Sequence, residues 1–283
     1  MFEKDQFELI DFGDGKKLES FAGIQVLRDC PAANSIPPAS NWNSLQTGSN
    51  CICFHKSRSQ WKPDDSYPEK WQIAHRQVLF NLKPTPFGHL GVFCEQAGNW
   101  DWILDLPIHT DGAKGLNLFA YTGGSTLALA QKNISVVHLD AARNVVNWAR
   151  KNAEISGMSS APIRWIVEDA MKFVNREIKR GNKYDFIVAD PPAIGHSGNK
   201  MTWKFGRDID ELMRSLSQIA SENFLGLLLS CHTEGYDSAH LAALGNENFD
   251  LESGVSESGT MDLESRDGRR LNCGHYFRWC RQT

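Results

Sequence analysis

The stretch Tyr184-Asp-Phe-Ile-Val-Ala-Asp-Pro-Pro192 decides the fold. Tyr184–Ala189 is a short run of mainly apolar residues, the composition of a buried strand, and Asp190-Pro191-Pro192 stops it. Two successive prolines hold an extended backbone where the strand ends, because each fixes its own φ and restricts the residue before it. Working outward, similar runs predict strands at Leu116–Phe119, Ser135–Leu139 and Ile163–Val167 upstream and at Phe224–Leu229 downstream. Longer amphipathic stretches separate them. In Ala141–Ile155, Val145, Val146, Trp148, Ala149, Ala153 and Ile155 approximate one apolar stripe, and Gly157 is placed to close the helix. Alternation of this kind predicts βαβ units and a parallel sheet. A final pair of strands near Thr260–Leu263 and His275–Cys280, around Asp267-Gly268, completes it. The expected fold is α/β and Rossmann-like, mostly parallel with an antiparallel C-terminal strand.

Before residue 113 the texture differs. From about residue 7 to 95 no helical period is sustained, and short apolar stretches alternate with Asp-Gly, Pro-Pro and Pro-Asp punctuation. Asp14-Gly15, between Phe7–Phe12 and Leu18–Leu27, is a hairpin signal, since both residue types tolerate the positive φ of tight primed turns. We therefore expect a β-rich N-terminal domain over residues 1–90, a candidate for substrate recognition, and an α/β domain over 91–283. No internal repeat is visible.

Composition narrows the class further. The chain has 283 residues, 41% hydrophobic and 23% charged, which is ordinary globular usage. Met1–Leu9 carries Glu3, Lys4, Asp5 and Glu8 and lacks the order of a secretory signal, and the longest apolar runs fall far short of the roughly 18 residues of a membrane span. A cytoplasmic location without membrane contact is expected. Cysteines at 30, 51, 53, 94, 231, 273 and 280 have no paired CxxC spacing, so reduced thiols are expected, with neither zinc nor a disulfide framework. A net charge of −4 argues against a broad nucleic-acid-coating surface while leaving room for local patches. The oligomeric state is not legible.

Open parallel sheets bind ligands beyond the carboxyl ends of their strands, so the residues after each strand are informative as a set. After the first comes Phe119-Ala120-Tyr121-Thr122-Gly123-Gly124, where small residues and a helix N-terminus can receive a ligand, or simply form a turn. Asp140 and Ala141 follow the second strand, about 20 residues after that turn begins, where a carboxylate accepts hydrogen bonds from both ribose hydroxyls or caps the next helix. After the third strand, Glu168-Asp169-Ala170 offers an acceptor for an adenine amino group, with capping again the alternative. Asp190-Pro191-Pro192 follows the fourth. The G-x-G-x-x-G spacing favoured by nicotinamide-binding proteins is absent, which counts against a dehydrogenase.

These residues resemble the class I S-adenosylmethionine-dependent methyltransferases related to the 23S rRNA large-subunit cytosine C5 methyltransferases. The resemblance rests on Leu116–Gly124 (LNLFAYTGG), Leu139–Asp140, Glu168–Ala170, Tyr184–Pro192 (YDFIVADPP) and Leu229–Cys231, within residues 90 to 280. Gly91–Trp100 is similar to the family's segment ahead of the first strand, which implies that Gln96 lies near the methionine part of the cofactor. The N-terminal segment resembles the β-rich extension of a small bacterial subgroup. What the resemblance implies is an enzyme with S-adenosylmethionine as cofactor and ribosomal RNA as partner and substrate. Asp140, Asp169 and the Phe119–Gly124 turn would hold the cofactor, and Pro191 and Pro192 would border the substrate.

Cytosine C5 is a weak nucleophile, so its methylation generally needs a thiolate adding to C6 and a carboxyl group near N3. The resemblance supports Cys231 and Asp190 in these roles, with His232 the nearby candidate in sequence for favouring the thiolate. Core packing of Cys231 is the competing reading. Related enzymes place a second cysteine in the loop that here holds Ala193, which leaves the base for the last step unassigned. For RNA contact, Lys200, Trp203, Lys204 and Arg207 follow the Asp190 loop. Lys56, Arg58, Lys62, Lys70, Arg76 and Lys83 are interleaved with Trp61, Tyr67, Trp71 and Phe80, either as an RNA surface or as a solvated face over a small core. A small-molecule or protein methyltransferase and a catalytically silent cofactor-binding protein are the alternative functions.

Overall fold

The computed structural model describes residues 1–42, 51–62, 68–197 and 200–282. The chain divides into two compact units, Met1–Ala97 with Asp262–Cys273 and Gly98–Met261 with Gly274–Thr283. The expected single cut at residue 90 is therefore replaced by a division in which a late segment joins the first unit.

In the first unit, β1 (Phe7–Gly13), β2 (Lys16–Phe21), β3 (Ile24–Asp29), β4 (Cys51–His55) and β5 (Gln60–Lys62) form a sheet in sequence order. Its pairs are antiparallel except β3–β4. The Asp14-Gly15 turn joins β1 to β2, with φ of 49° and 73°, the positive values a primed turn requires. Leu18–Leu27, expected as one strand, is two: Ala22 and Gly23 both adopt positive φ and turn the chain between β2 and β3. A separate hairpin pairs β6 (Gln72–His75) with β7 (Val78–Asn81). The aromatic residues of the basic stretch go inward. Trp61, Trp71 and Phe80 are buried, and the indole N–H groups of Trp61 and Trp71 donate to the carbonyls of Thr85 and Phe21. Lys56, Lys62, Lys70, Arg76 and Lys83 remain exposed. That stretch is a solvated face over a small core, because an indole buries most of its area once its single N–H has a partner. Tyr67 and the side chain of Arg58 lie outside the described residues.

In the second unit, α1 (Ala97–Asp105) precedes β8 (Lys114–Leu118), α2 (Gly124–Gln131), β9 (Ser135–Asp140), α3 (Arg143–Ile155), β10 (Ile163–Val167), α4 (Ala170–Arg180) and β11 (Phe186–Ala189). A small hairpin, β12 (Ile194–Ser197) and β13 (Lys200–Lys204), leads into α5 (Phe205–Ser217). The chain ends with β14 (Gly226–Cys231), α6 (Ser238–Asn248), β15 (Gly254–Glu264) and β16 (Arg270–Arg281). The sheet order is β10-β9-β8-β11-β14-β16-β15, parallel from β10 to β14 and antiparallel at β16. This is the expected Rossmann-like α/β architecture. β11 is buried along its whole length, as a central parallel strand covered on both faces must be.

Two expected bounds shift in ways that matter for the site. α3 begins at Arg143 and not at Ala141, because Ala142 is extended and its N–H is taken by the Asp140 carboxylate. β14 runs to Cys231, which pairs with His275, so Cys231 is the last residue of the strand and does not follow it. No disulfide joins any of the seven cysteines. Among the described residues no helix is long and apolar enough to cross a membrane.

Candidate cofactor and acceptor site

The chain order reverses between β8 and β11: β9 and β10 lie on one side of β8, β11 and β14 on the other. The crevice beyond the carboxyl ends of these two strands is where such sheets take ligands. Four of the sequence-predicted segments converge there. The amide of Ala120 donates to Leu139 O (3.0 Å), that of Glu168 to Asp140 O (3.1 Å), and that of Asp190 lies 3.5 Å from Leu118 O.

The loop leaving β8 is strained. Phe119 and Tyr121, both aromatic, have φ of 54° and 48°, and Gly123 has 95°. Left-handed backbone is costly for bulky residues and persists where surrounding contacts impose it, commonly at ligand sites. Here the imposing contact is Asp140. Its Oδ2 accepts the Tyr121 amide (3.0 Å) and its Oδ1 the Ala142 amide (2.9 Å). Burial pushes the Asp140 carboxyl above its usual range, and the backbone amides of Ala142, Tyr121 and Ala141 pull the other way.

The glycines divide their duties. Gly123 supplies positive φ as the N-cap of α2. Gly124 instead makes room inside the protein: a Cβ there would lie 2.3 Å from the Trp100 ring. Beneath the loop a buried relay links Asn117 Nδ2 to Thr126 Oγ1 (2.8 Å) and Thr126 Oγ1 to His138 Nδ1 (2.9 Å). Burial pushes His138 down to about 3, so the relay carries no charge at neutral pH. Asp169 caps α4, its Oδ1 accepting the Lys172 amide (3.0 Å), and Ala170 is buried behind it as the first helical residue. The neighbouring Glu168 pairs with Arg176 (2.6 Å). Gln96 is buried on the 3₁₀ turn Cys94–Gln96 of the first unit. Asn99 accepts the Arg278 Nε–H at 2.8 Å, which gives it a structural place on β16.

On the other side of the crevice Asp190 is held by side chains. Ser230 Oγ donates to its Oδ1 at 2.7 Å, and His232 Nε2 lies 3.7 Å from the same oxygen. Ser230 escaped the sequence reading as a functional residue; a lone hydroxyl in the buried run of β14 was the available signal. Cys231 beside it is fully buried. Burial pushes its thiol up and the Asp190 charge adds to this, while the Thr233 amide, donating to Sγ at 3.2 Å, opposes them. Pro191 is buried and Pro192 exposed. Trp203 is not an open stacking platform: it is buried, its indole N–H donates to Pro192 O (2.7 Å), and its ring lies 5.0 Å from Phe119. It clamps the proline loop against the β8 loop. Lys204 is exposed at the N-cap of α5, Arg207 pairs with Asp208 at 2.6 Å, and the side chain of Lys200 lies outside the described residues.

A parallel sheet with a buried carboxylate after its second strand and an Asp-Pro-Pro loop at its switch point has the form of a Rossmann-like nucleotide-cofactor site. The model of the S-adenosylmethionine-dependent methyltransferases matches residues 23–269, and the chain belongs to that family. It is a methyltransferase, and S-adenosylmethionine is its cofactor. The crystal structure of an S-adenosylmethionine-dependent methyltransferase from Agrobacterium tumefaciens is similar over 98% of this chain and 91% of that one, with a TM-score of 0.86 and 31% identity. Among curated proteins, the ribosomal RNA large subunit methyltransferase K/L of Shewanella frigidimarina is 30% identical over 201 residues, 69% of this chain. The ribosomal RNA large subunit methyltransferase I of Aeromonas hydrophila is 36% identical over 90 residues, 31% of this chain. The match spans only 27% and 23% of those two relatives.

Proposed function

We propose that this methyltransferase acts in the cytoplasm on a base of large-subunit ribosomal RNA. The observation that carries the reading is Asp190, a carboxylate fixed by Ser230 at the carboxyl end of β11, beside the strained cofactor loop and ahead of two prolines. A carboxylate so placed accepts a hydrogen bond from the edge of an extruded base and orients it for in-line displacement at the methyl group. The cofactor supplies an electrophilic methyl on a sulfonium. Asp140 would hold the ribose and Asp169 the adenine amino group. Lys200 and Lys204 would meet phosphates, and the first unit would take part in recognising the RNA. The names of the curated relatives support the choice of acceptor.

The finer reading is cytosine C5, with Cys231 adding to C6 and Asp190 near N3. The Thr233 amide on Sγ supports it, since a donor there favours the thiolate. Mass-spectrometric comparison of ribosomal RNA nucleosides from cells with and without the gene tests the acceptor: loss of one methylated base is expected, and unchanged ribosomal RNA would overturn the reading. RNA containing 5-fluorocytosine tests the carbon acceptor by trapping a covalent adduct on Cys231. Full activity of Cys231→Ala with no adduct would remove that finer reading.

A further inference from the structure

Methyl transfer to an atom that bears hydrogen leaves a proton to be removed, and the sequence leaves the residue that takes it unassigned. Cys231 is fully buried and its thiol is pushed up. His275, opposite Cys231 in the β14–β16 register, has a buried Nδ1 without a hydrogen-bond partner. His232 is different. Its Nε2 sits 3.7 Å from Asp190 Oδ1, and the two side chains are 31% and 28% exposed, open enough to meet a substrate. The position is built in: Gly274 on β16 has φ of 151°, and a Cβ there would lie 3.0 Å from His232 Nδ1 and 2.7 Å from Cys231 O. Asp190, just after β11, faces the imidazole at its Nε2, and β16 brings the uncharged Gly274 against its Nδ1.

We propose that His232 is the base that takes the acceptor's proton, with Asp190 stabilising the imidazolium that results. This rests on the reading of Asp190 as the acceptor side of the site. In the transfer the sulfur–methyl bond breaks and its electron pair returns to sulfur, giving S-adenosylhomocysteine, while the acceptor's electron pair bonds to the methyl carbon. The acceptor's bond to hydrogen then breaks, its electrons stay with the acceptor, and the proton passes to His232 Nε2. For a cytosine carbon those electrons reform the C5–C6 double bond and expel the Cys231 thiolate. An imidazole beside a carboxylate is a suitable pair for taking up such a proton.

The test incubates the full chain and labelled S-adenosylmethionine with extract of cells lacking the gene, separated into ribosomal RNA, other RNA, protein and small molecules. Label in ribosomal RNA supports the proposed acceptor, and label confined to another fraction overturns that reading alone. On whichever fraction is labelled, His232→Gln is expected to slow single-turnover transfer by about 10²–10⁴-fold and to change the pH dependence of the rate from that of wild type, with cofactor affinity unchanged. Wild-type rate and pH profile in His232→Gln would overturn the role of His232, and no label in any fraction would overturn both readings. Should His232→Gln lose cofactor binding, His232→Ala with added imidazole decides: restored transfer supports the proposal, and no restoration overturns it.

Discussion

Asp140 ends β9 and Asp190 follows β11, on either side of β8 in one sheet, yet they are held by different means. Asp140 is gripped by backbone amides of Tyr121 and Ala142, Asp190 by the side chains of Ser230 and His232. Backbone donors are supplied by the turn itself and tolerate changes of side chain. Side-chain donors from β14 exist only because the sheet places that strand beside β11. The Asp140 grip thus draws on backbone donors of the turns after β8 and β9, the Asp190 grip on side chains at the end of β14.

Substitutions can break this contrast. The largest effect is expected for Asp190→Ala, which should lower kcat by about 10²–10⁴-fold while calorimetry finds wild-type cofactor affinity; a parallel loss of affinity would merge the two sides. Asp140→Ala should weaken cofactor binding by about 10–100-fold through the lost hydrogen bonds. The pH dependence follows from the raised carboxyl of Asp140. Protonation removes its acceptors, so cofactor affinity should fall on acidification at a pH above that of an ordinary aspartate. The stability of the cofactor-free chain should move oppositely. The folded state binds more protons between the ordinary and the raised value, so the Asp140 contribution declines as pH rises through that window. Calorimetry and thermal unfolding across pH, against Asp140→Ala, check both.

Gly124→Ala sharpens the picture of the loop. A Cβ 2.3 Å from the Trp100 ring should destabilise by about 1–3 kcal/mol in urea unfolding, since an overpacked site must shift. Wild-type stability would show that Trp100 yields. The smallest effect is expected for Trp203→Phe, which keeps an aromatic ring against Phe119 but loses the indole N–H bond to Pro192 O, worth about 0.5–1.5 kcal/mol. It should appear in kcat and leave cofactor affinity unchanged.

Much of the fold was legible because strand composition and turn chemistry are local. Ile163–Val167 is observed with the bounds expected, and Asp14-Gly15 turns as its residue types require. The turn at Ala22–Gly23 was not anticipated, because Ala22 is not a residue that announces positive φ. At the site, Asp140 was legible from its spacing to the loop. The Ser230–Asp190 bond, the burial of Cys231 and the Trp203 clamp were not, since each joins residues that only strand order and loop return bring together.

The amino-acid sequence by itself determined the succession of parallel strands, the post-strand carboxylates and the Asp-Pro-Pro stop, because periodicity, turn preference and the fixed φ of proline act over a few residues. The tertiary structure alone decided which strand lies beside β11. It thereby decided that Asp190 meets Ser230 and His232, that Cys231 closes a buried strand opposite His275, and that Gly124 yields its space to Trp100. Those pairings arise from the burial of apolar strand faces against helices across the whole sheet, a balance that no local stretch of chain contains.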